Sequence, residues 1–230
     1  MAAMGMPVAV YLPRFYTEGM GLSLVTVGAI FTLARIWDVI TDPVMGIAID
    51  KFDTRWGRRK HWIAISIPIL VLSVWMVFMP NQESVSAGYL LFWLIVLYVG
   101  YTMLAIAHQS WGAELALTYD DRSRLFGWRE IFVIAGMTVV LGIPATLELT
   151  GMSSQSAKVA SMGWFCLILF PLLVVPTLTM VPDTHSKPQS SVPWAEAMKV
   201  LASNNLLWRL LAADLASGFG TAVSGALYIF

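Results

Sequence analysis

The stretch ARIWDVITDPVMGIAIDKFDTRWGRRKH, Ala34 to His61, decides the fold of this chain. Its first half is apolar enough to lie in a bilayer, yet it carries Arg35, Asp38 and Asp42. Spaced i, i+3, i+7, the three project from one face of an α-helix. A central Asp or Arg in a membrane helix costs roughly 2.5–3.5 kcal/mol on insertion scales. Three on one helix therefore need mutual pairing, a partner helix, water or a bound cation. The second half of the stretch is a hydrophilic loop holding Lys51, Arg55, Arg58, Arg59 and Lys60.

Composition sets the class. Of 230 residues, 58% are hydrophobic and 12% charged, where a soluble domain has about 25% charged residues. Mean hydropathy is +0.73, that of an integral membrane protein. A net charge of zero argues against a nucleic-acid binder. The single cysteine, Cys166, lies in an apolar run and reads as a packing residue. No basic n-region or small-residue cleavage site marks a signal peptide.

Outward from the opening stretch, apolar segments of spanning length recur. Met1 to Tyr16 reads as a shortened first span and Leu24 to Ile49 as the second, with the charged face. Trp62–Met79, Gly88–Ala107, Leu125–Thr146 and Met162–Val181 read as the third to sixth. Residues 182–205 form a polar linker ending in an amphipathic helix, Trp194 to Asn204. A seventh span starts at Leu206 and holds Arg209 and Asp214, an acid with a pathway role or a pairing role. The expected fold is an all-α polytopic membrane protein. It comprises a six-helix N-terminal half over residues 1–181, the linker, and a truncated start of a second half over 206–230. Both ends read as cut, so a fragment is expected.

Loop charge sets orientation. Lys51, Arg55 and Arg58 to Lys60 follow the second span, Arg122 and Arg124 the fourth, Lys187 and Lys199 the sixth; the opposite loops hold essentially Lys158 alone. The positive-inside rule places the basic loops in the cytoplasm. The first basic loop also fits a lipid-binding patch.

Two carboxylates one turn apart offer oxygen ligands to a hard cation such as Na⁺, or a site for a proton if burial favours the neutral acid. Arg35 is then a charge partner that holds one carboxylate ionised in the empty site. Pro43 removes a backbone donor and frees a carbonyl. The same pattern also fits an ion-pair network that fixes helix packing. No phosphate loop, nucleophile elbow or His/Cys metal spacing is present, and His61, His108 and His185 lie far apart. No enzyme chemistry and no cofactor are expected beyond a coupling ion.

The loop from Gly46 to Lys60, G-x-x-x-D-K then W-G-R-R-K, resembles the signature between the second and third helices of the major facilitator superfamily. ARIWDVITDP followed by TRWGRRKHWI resembles the glycoside–pentoside–hexuronide:cation symporters, the melibiose-carrier family within it. LPRFYTEGMGLSLVTVGAIF and YTMLAIAHQSWGAELALTYDDRSRLFGWRE extend the likeness over most of the chain. The resemblance implies that Asp38 and Asp42 are paired cation ligands, with Thr102 contributing, and that Arg129 binds sugar. It also implies a cytoplasmic gate at Asp50, Lys51, Arg58 and Arg59. Thr102 reads equally as a helix-packing hydroxyl and Arg129 as a snorkelling interfacial arginine.

Departures from that family pattern matter as much. Thr41, a further candidate cation ligand, stands where the melibiose carrier has an asparagine beside the second aspartate. Ala2 and Ala105 stand at its sugar-binding acids, and Gln109 at its fourth-helix tryptophan. His108 and Gln109 are the candidate replacements that line a pocket. Trp111 and Glu114 read as a helix end at the interface, with the tryptophan in an aromatic belt. Asp120, Asp121, Arg122 and Arg124 read as loop ion pairs. The expected function is Na⁺- or H⁺-coupled symport of a sugar or glycoside across a bacterial inner membrane. Carriage of a lipid or other amphiphile, or a non-transporting scaffold or receptor, are the alternatives. The expected partners are a small-molecule substrate, the bilayer and a C-terminal half.

Overall fold

A computed structural model describes residues 4–5, 7–52, 54–151, 154–182, 199–200 and 202–227. The chain divides into two compact units, Met1–His185 and Ser186–Phe230. The first unit starts with α1, a helical stretch of Pro7–Tyr11, Leu12–Arg14 and Phe15–Gly19, whose outer parts are wound with π spacing. Five long helices follow: α2 (Leu24–Lys51), α3 (Lys60–Phe78), α4 (Ala87–Leu115), α5 (Tyr119–Leu149) and α6 (Gln155–Met180). All five are long and apolar enough to cross a membrane. The second unit holds α7 (Asn205–Leu227). No strand occurs among the described residues.

Most of the spans begin where a hydroxyl caps the first turn. The side chains of Ser23, Ser86, Thr118 and Ser154 accept from the backbone N–H groups of Thr26, Tyr89, Asp121 and Ala157. In each case one of the unpaired first-turn donors finds an oxygen. Several helices run past the expected ends, α1 because the polar residues there find partners in their own helix. Thr17 donates to the carbonyls of Pro13 and Arg14, both at 3.0 Å, and Arg14 pairs with Glu18 at 2.9 Å, which carries α1 on to Gly19. On the polar side of α4 the helix continues beyond Ala107 to Leu115, so His108, Gln109, Trp111 and Glu114 are helical. The expected linker helix Trp194 to Asn204 lies mostly outside the described residues.

At the centre of the first unit α4 packs against α2 on one side and α3 on the other, and α3 also packs against α6. Inside a bilayer such contacts rest on close van der Waals fit, since lipid is as apolar as the side chains it would replace. Gly163 of α6 shows how close the fit is: a Cβ there would stand 2.7 Å from the Cβ of Phe78 in α3. Tyr16 is fully buried and donates to the Val77 carbonyl at 2.9 Å, which ties α1 to the end of α3. Cys166 is buried in this core as a free thiol. Half of the most apolar stretch of α4 is buried, against 11% for α5 and 17% for α2. The charged face thus sits on a helix that is open on one side and pressed against α4 on the other.

Candidate functional site

Asp38 and Asp42 lie one turn apart on α2, and α4 supplies what lies between them. The Thr102 hydroxyl is buried and stands 3.0 Å from Asp38 Oδ1 and 2.8 Å from Asp42 Oδ1. The two carboxylate oxygens are therefore no farther apart than the sum of those distances. A hydroxyl has one proton to give and lone pairs to accept with. It can satisfy one carboxylate fully at any moment, and its oxygen is free to turn towards a cation. Three oxygens from two helices thus converge on one small volume.

Arg35 completes the face. Its Nη1 lies 3.6 Å from Asp38 Oδ2, and its guanidinium carbon lies 4.9 Å from the centre of the Tyr98 ring on α4. Thr41 does not join this cluster: its hydroxyl bonds back to the carbonyls of Trp37 at 3.1 Å and Asp38 at 3.2 Å. That is the usual habit of a mid-helix threonine. Pro43 is inside α2, and the carbonyl left without its helical donor is that of Val39.

A second cluster gathers at the other end of α2. The loop turns at Gly57, whose φ of 96° is a conformation that residues with a Cβ rarely adopt. Beyond it Arg58 and Arg59 fold inwards. Arg58 Nη2 and Arg59 Nη2 both reach Glu114 Oε1 on α4, at 2.5 Å and 3.0 Å. Arg59 Nη1 also pairs with Asp50 at the end of α2, at 2.6 Å. Lys51 is exposed and joins no ion pair among the described residues. Lys60 turns the other way: Nζ donates to the carbonyls of Val181 at 2.6 Å and Leu178 at 3.3 Å, capping α6, and sits 5.5 Å from the Trp111 ring centre.

The remaining candidates are more scattered. Arg129 is half-buried on α5, 3.4 Å from Glu130 and 5.9 Å from the Phe126 ring centre. His108 is partly buried on α4, with Nδ1 enclosed and without a hydrogen-bond partner, while Gln109 is exposed. Asp214 and Arg209 are exposed on α7, and no ion pair joins them among the described residues. In the α4–α5 corner, Thr118 caps α5 and bonds Asp121 Oδ2 at 2.7 Å, and Arg122 donates to the Ala113 carbonyl at 3.1 Å. The expected loop ion pairs there do not form among the described residues, because the residues are taken up in the first turns of α5. Ala2 lies outside the described residues.

One further reading needs correction. Trp111 is not in an interfacial belt: it is 2% exposed and lies in the core beneath Lys60. Glu114 does stand at the helix end, and there it holds both arginines. Its partners lie 55 and 56 residues away, a separation that no helical or strand spacing in the sequence flags. The surplus of base in the loop was the available hint that an acid elsewhere must meet it.

The family model described as "MFS/sugar transport protein" matches residues 1–230. The isoprimeverose transporter of Lactiplantibacillus pentosus is 31% identical over 213 residues, 86% of this chain and 43% of that protein. A putative glycoside/cation symporter, YagG, of Escherichia coli is 26% identical over 88% of this chain and 45% of its own length. The raffinose carrier protein of Pediococcus pentosaceus is 27% identical over 91% and 35%. The chain spans about half the length of the curated relatives it matches, or less. It is an integral multi-pass membrane protein, and it belongs to the MFS/sugar transport protein family, to which its likeness to the glycoside–pentoside–hexuronide:cation symporters pointed.

Proposed function

We propose that this chain forms the cation-binding half of a secondary active symporter that couples Na⁺ or H⁺ to the movement of a sugar or glycoside. The observation that carries the reading is the Thr102 hydroxyl within hydrogen-bonding reach of both Asp38 and Asp42. A bound Na⁺ sits between the carboxylates, and the Thr102 hydroxyl turns its proton away and offers its oxygen as a third ligand; alternatively a proton resides on one carboxyl. Either neutralises charge that α2 otherwise holds open. The names of the relatives, glycoside/cation symporter, isoprimeverose transporter and raffinose carrier among them, support sugar as the cargo.

In this reading Arg129, His108 and Gln109 meet the substrate between two six-helix halves, near mid-membrane. Asp50, Arg58 and Arg59, with Glu114 added and Lys51 at the rim, close the cytoplasmic side in one state and part in the other. The basic loops after α2, α4 and α6 face the cytoplasm of a bacterial inner membrane, by the positive-inside rule. Cation and sugar then raise each other's affinity by the same factor.

The test is sugar uptake into vesicles under an imposed Na⁺ or H⁺ gradient. Asp38→Asn and Asp42→Asn each abolish the stimulation by the gradient. Uptake that still responds to either gradient in both variants overturns the reading.

A further inference from the structure

Arg35 is the charge on the α2 face that cation binding by itself does not use. Among the described residues it has two partners, the Asp38 carboxylate at 3.6 Å and the Tyr98 ring at 4.9 Å from its centre. The ring is 6% exposed and fixed in the core, whereas the Arg35 side chain is 62% exposed. Within the first unit the guanidinium has other rotamers to move into. The aromatic face is what gives it a place, through the attraction of a ring quadrupole for a cation within about 6 Å.

The geometry is a two-rung ladder. Tyr98 and Thr102 are i and i+4 on α4; Arg35, Asp38 and Asp42 are i, i+3 and i+7 on α2. One rung sets Arg35 over Tyr98, the other sets Asp38 and Asp42 on Thr102. Asp38 belongs to both, with Oδ2 towards the guanidinium and Oδ1 towards the hydroxyl. The charged groups in direct contact at the cluster are these three from α2, with Tyr98, Tyr101 and Thr102 as neutral groups from α4; Arg129 of α5 lies beyond Tyr101 and contacts neither carboxylate among the described residues. One arginine and two carboxylates leave a single net negative charge; without the arginine there would be two.

We propose that Tyr98 is a positioning residue that holds Arg35 beside Asp38, so that the site carries one negative charge and selects one monovalent cation over a divalent ion. This rests on the symport reading and adds to it the residue that sets the charge of the cation site. When Tyr98 loses its ring, Arg35 leaves Asp38. The site then grows more negative, holds its cation more tightly and admits a divalent competitor.

The experiment is gradient-driven uptake in proteoliposomes carrying the transporter, with wild type, Tyr98→Phe, Tyr98→Leu, Arg35→Gln and the Tyr98→Leu/Arg35→Gln pair. Two quantities are read: the half-saturating concentration of the driving cation, and inhibition by Ca²⁺. Tyr98→Phe keeps the ring and behaves as wild type. Tyr98→Leu lowers the half-saturating concentration about two- to fivefold, the range of an exposed cation–π contact, and uptake becomes sensitive to Ca²⁺. Arg35→Gln shifts both in the same direction, and adding Tyr98→Leu to it changes nothing more. A half-saturating concentration unchanged in Arg35→Gln, an equal shift in Tyr98→Phe, or additive shifts in the pair would each overturn the proposal. The symport reading itself fails by a different sign, wild-type uptake indifferent to both Na⁺ and H⁺ gradients.

Discussion

Glu114, one residue from the end of α4, accepts from Arg58 at 2.5 Å across 56 residues of sequence. The same carboxylate oxygen also receives Arg59 at 3.0 Å, so one acid holds two arginines that have little contact with solvent. Nε of each arginine is buried without a partner, and only Arg59 has a second acid, Asp50 at 2.6 Å, so Arg58 depends on Glu114 alone among the described residues. Removing one partner of a buried pair costs about 3–5 kcal/mol, because the other charge stays buried. Glu114→Gln is expected at the lower end, about 3 kcal/mol, since all three side chains keep some access to water. Arg58→Gln is milder, because Arg59 then shares Glu114 and Asp50 without competition. Thermal denaturation in detergent measures both, and the double variant Glu114→Gln/Arg58→Gln is expected to lose less than the sum.

Why was the α2 face legible in sequence when this cluster was not? Arg35, Asp38 and Asp42 stand out because their background is apolar and their spacing is helical, so geometry follows from the chain alone. Thr102 entered through family likeness, and its reach to both acids is a matter of how α4 registers against α2. Glu114 and Lys60 carry ordinary charges in polar stretches. What gives them roles is the fold, which brings the α4 end and the α6 end to the loop after α2. The expected fourth span stops at Ala107 because the apolar run stops there, whereas the helix itself continues through the polar residues to Leu115. Thr41 shows the converse, a residue that fits the family site by position but spends its proton on its own helix.

Lys60 joins three elements with one amine. It starts α3, caps the last carbonyls of α6 and lies against the Trp111 ring of α4. A cation at a helix C-terminus is worth about 0.3–1 kcal/mol when exposed and up to ~2 kcal/mol when partly buried. Lys60→Met keeps the aliphatic stem and loses the charge and donors. It is expected to destabilise by about 1 kcal/mol, read as a lower melting temperature, while Lys60→Arg loses less. An unchanged melt in Lys60→Met would show that the α6 end is held by other means.

Gly163 tests the close packing of α6 on α3. A Cβ at that position meets the Phe78 Cβ at 2.7 Å and Cγ at 3.2 Å. Overpacking of this kind costs about 1–3 kcal/mol, so Gly163→Ala is expected to lower the melting temperature. Because the nearest atom is a Cβ, Phe78→Ala leaves the clash in place and does not rescue Gly163→Ala. Only a shift of one backbone against the other relieves it. A tolerant Gly163→Ala would mean that α6 and α3 slide apart more easily than the buried Phe78 side chain suggests.

Thr102 separates a ligand from a spacer. If its oxygen serves the cation, the valine isostere removes that oxygen while keeping the volume between α2 and α4. Hydrogen bonds to charged groups contribute about 1.5–3 kcal/mol, so Thr102→Val is expected to raise the half-saturating concentration of the driving cation about 10- to 100-fold. Thr102→Ser retains the hydroxyl and most of the affinity. If Thr102 only packs, the order reverses: valine is tolerated and serine, which lacks the methyl, is the worse variant. Titration of gradient-driven uptake in the two variants distinguishes the cases, because the melting temperature follows packing in both whereas the cation response follows the oxygen alone.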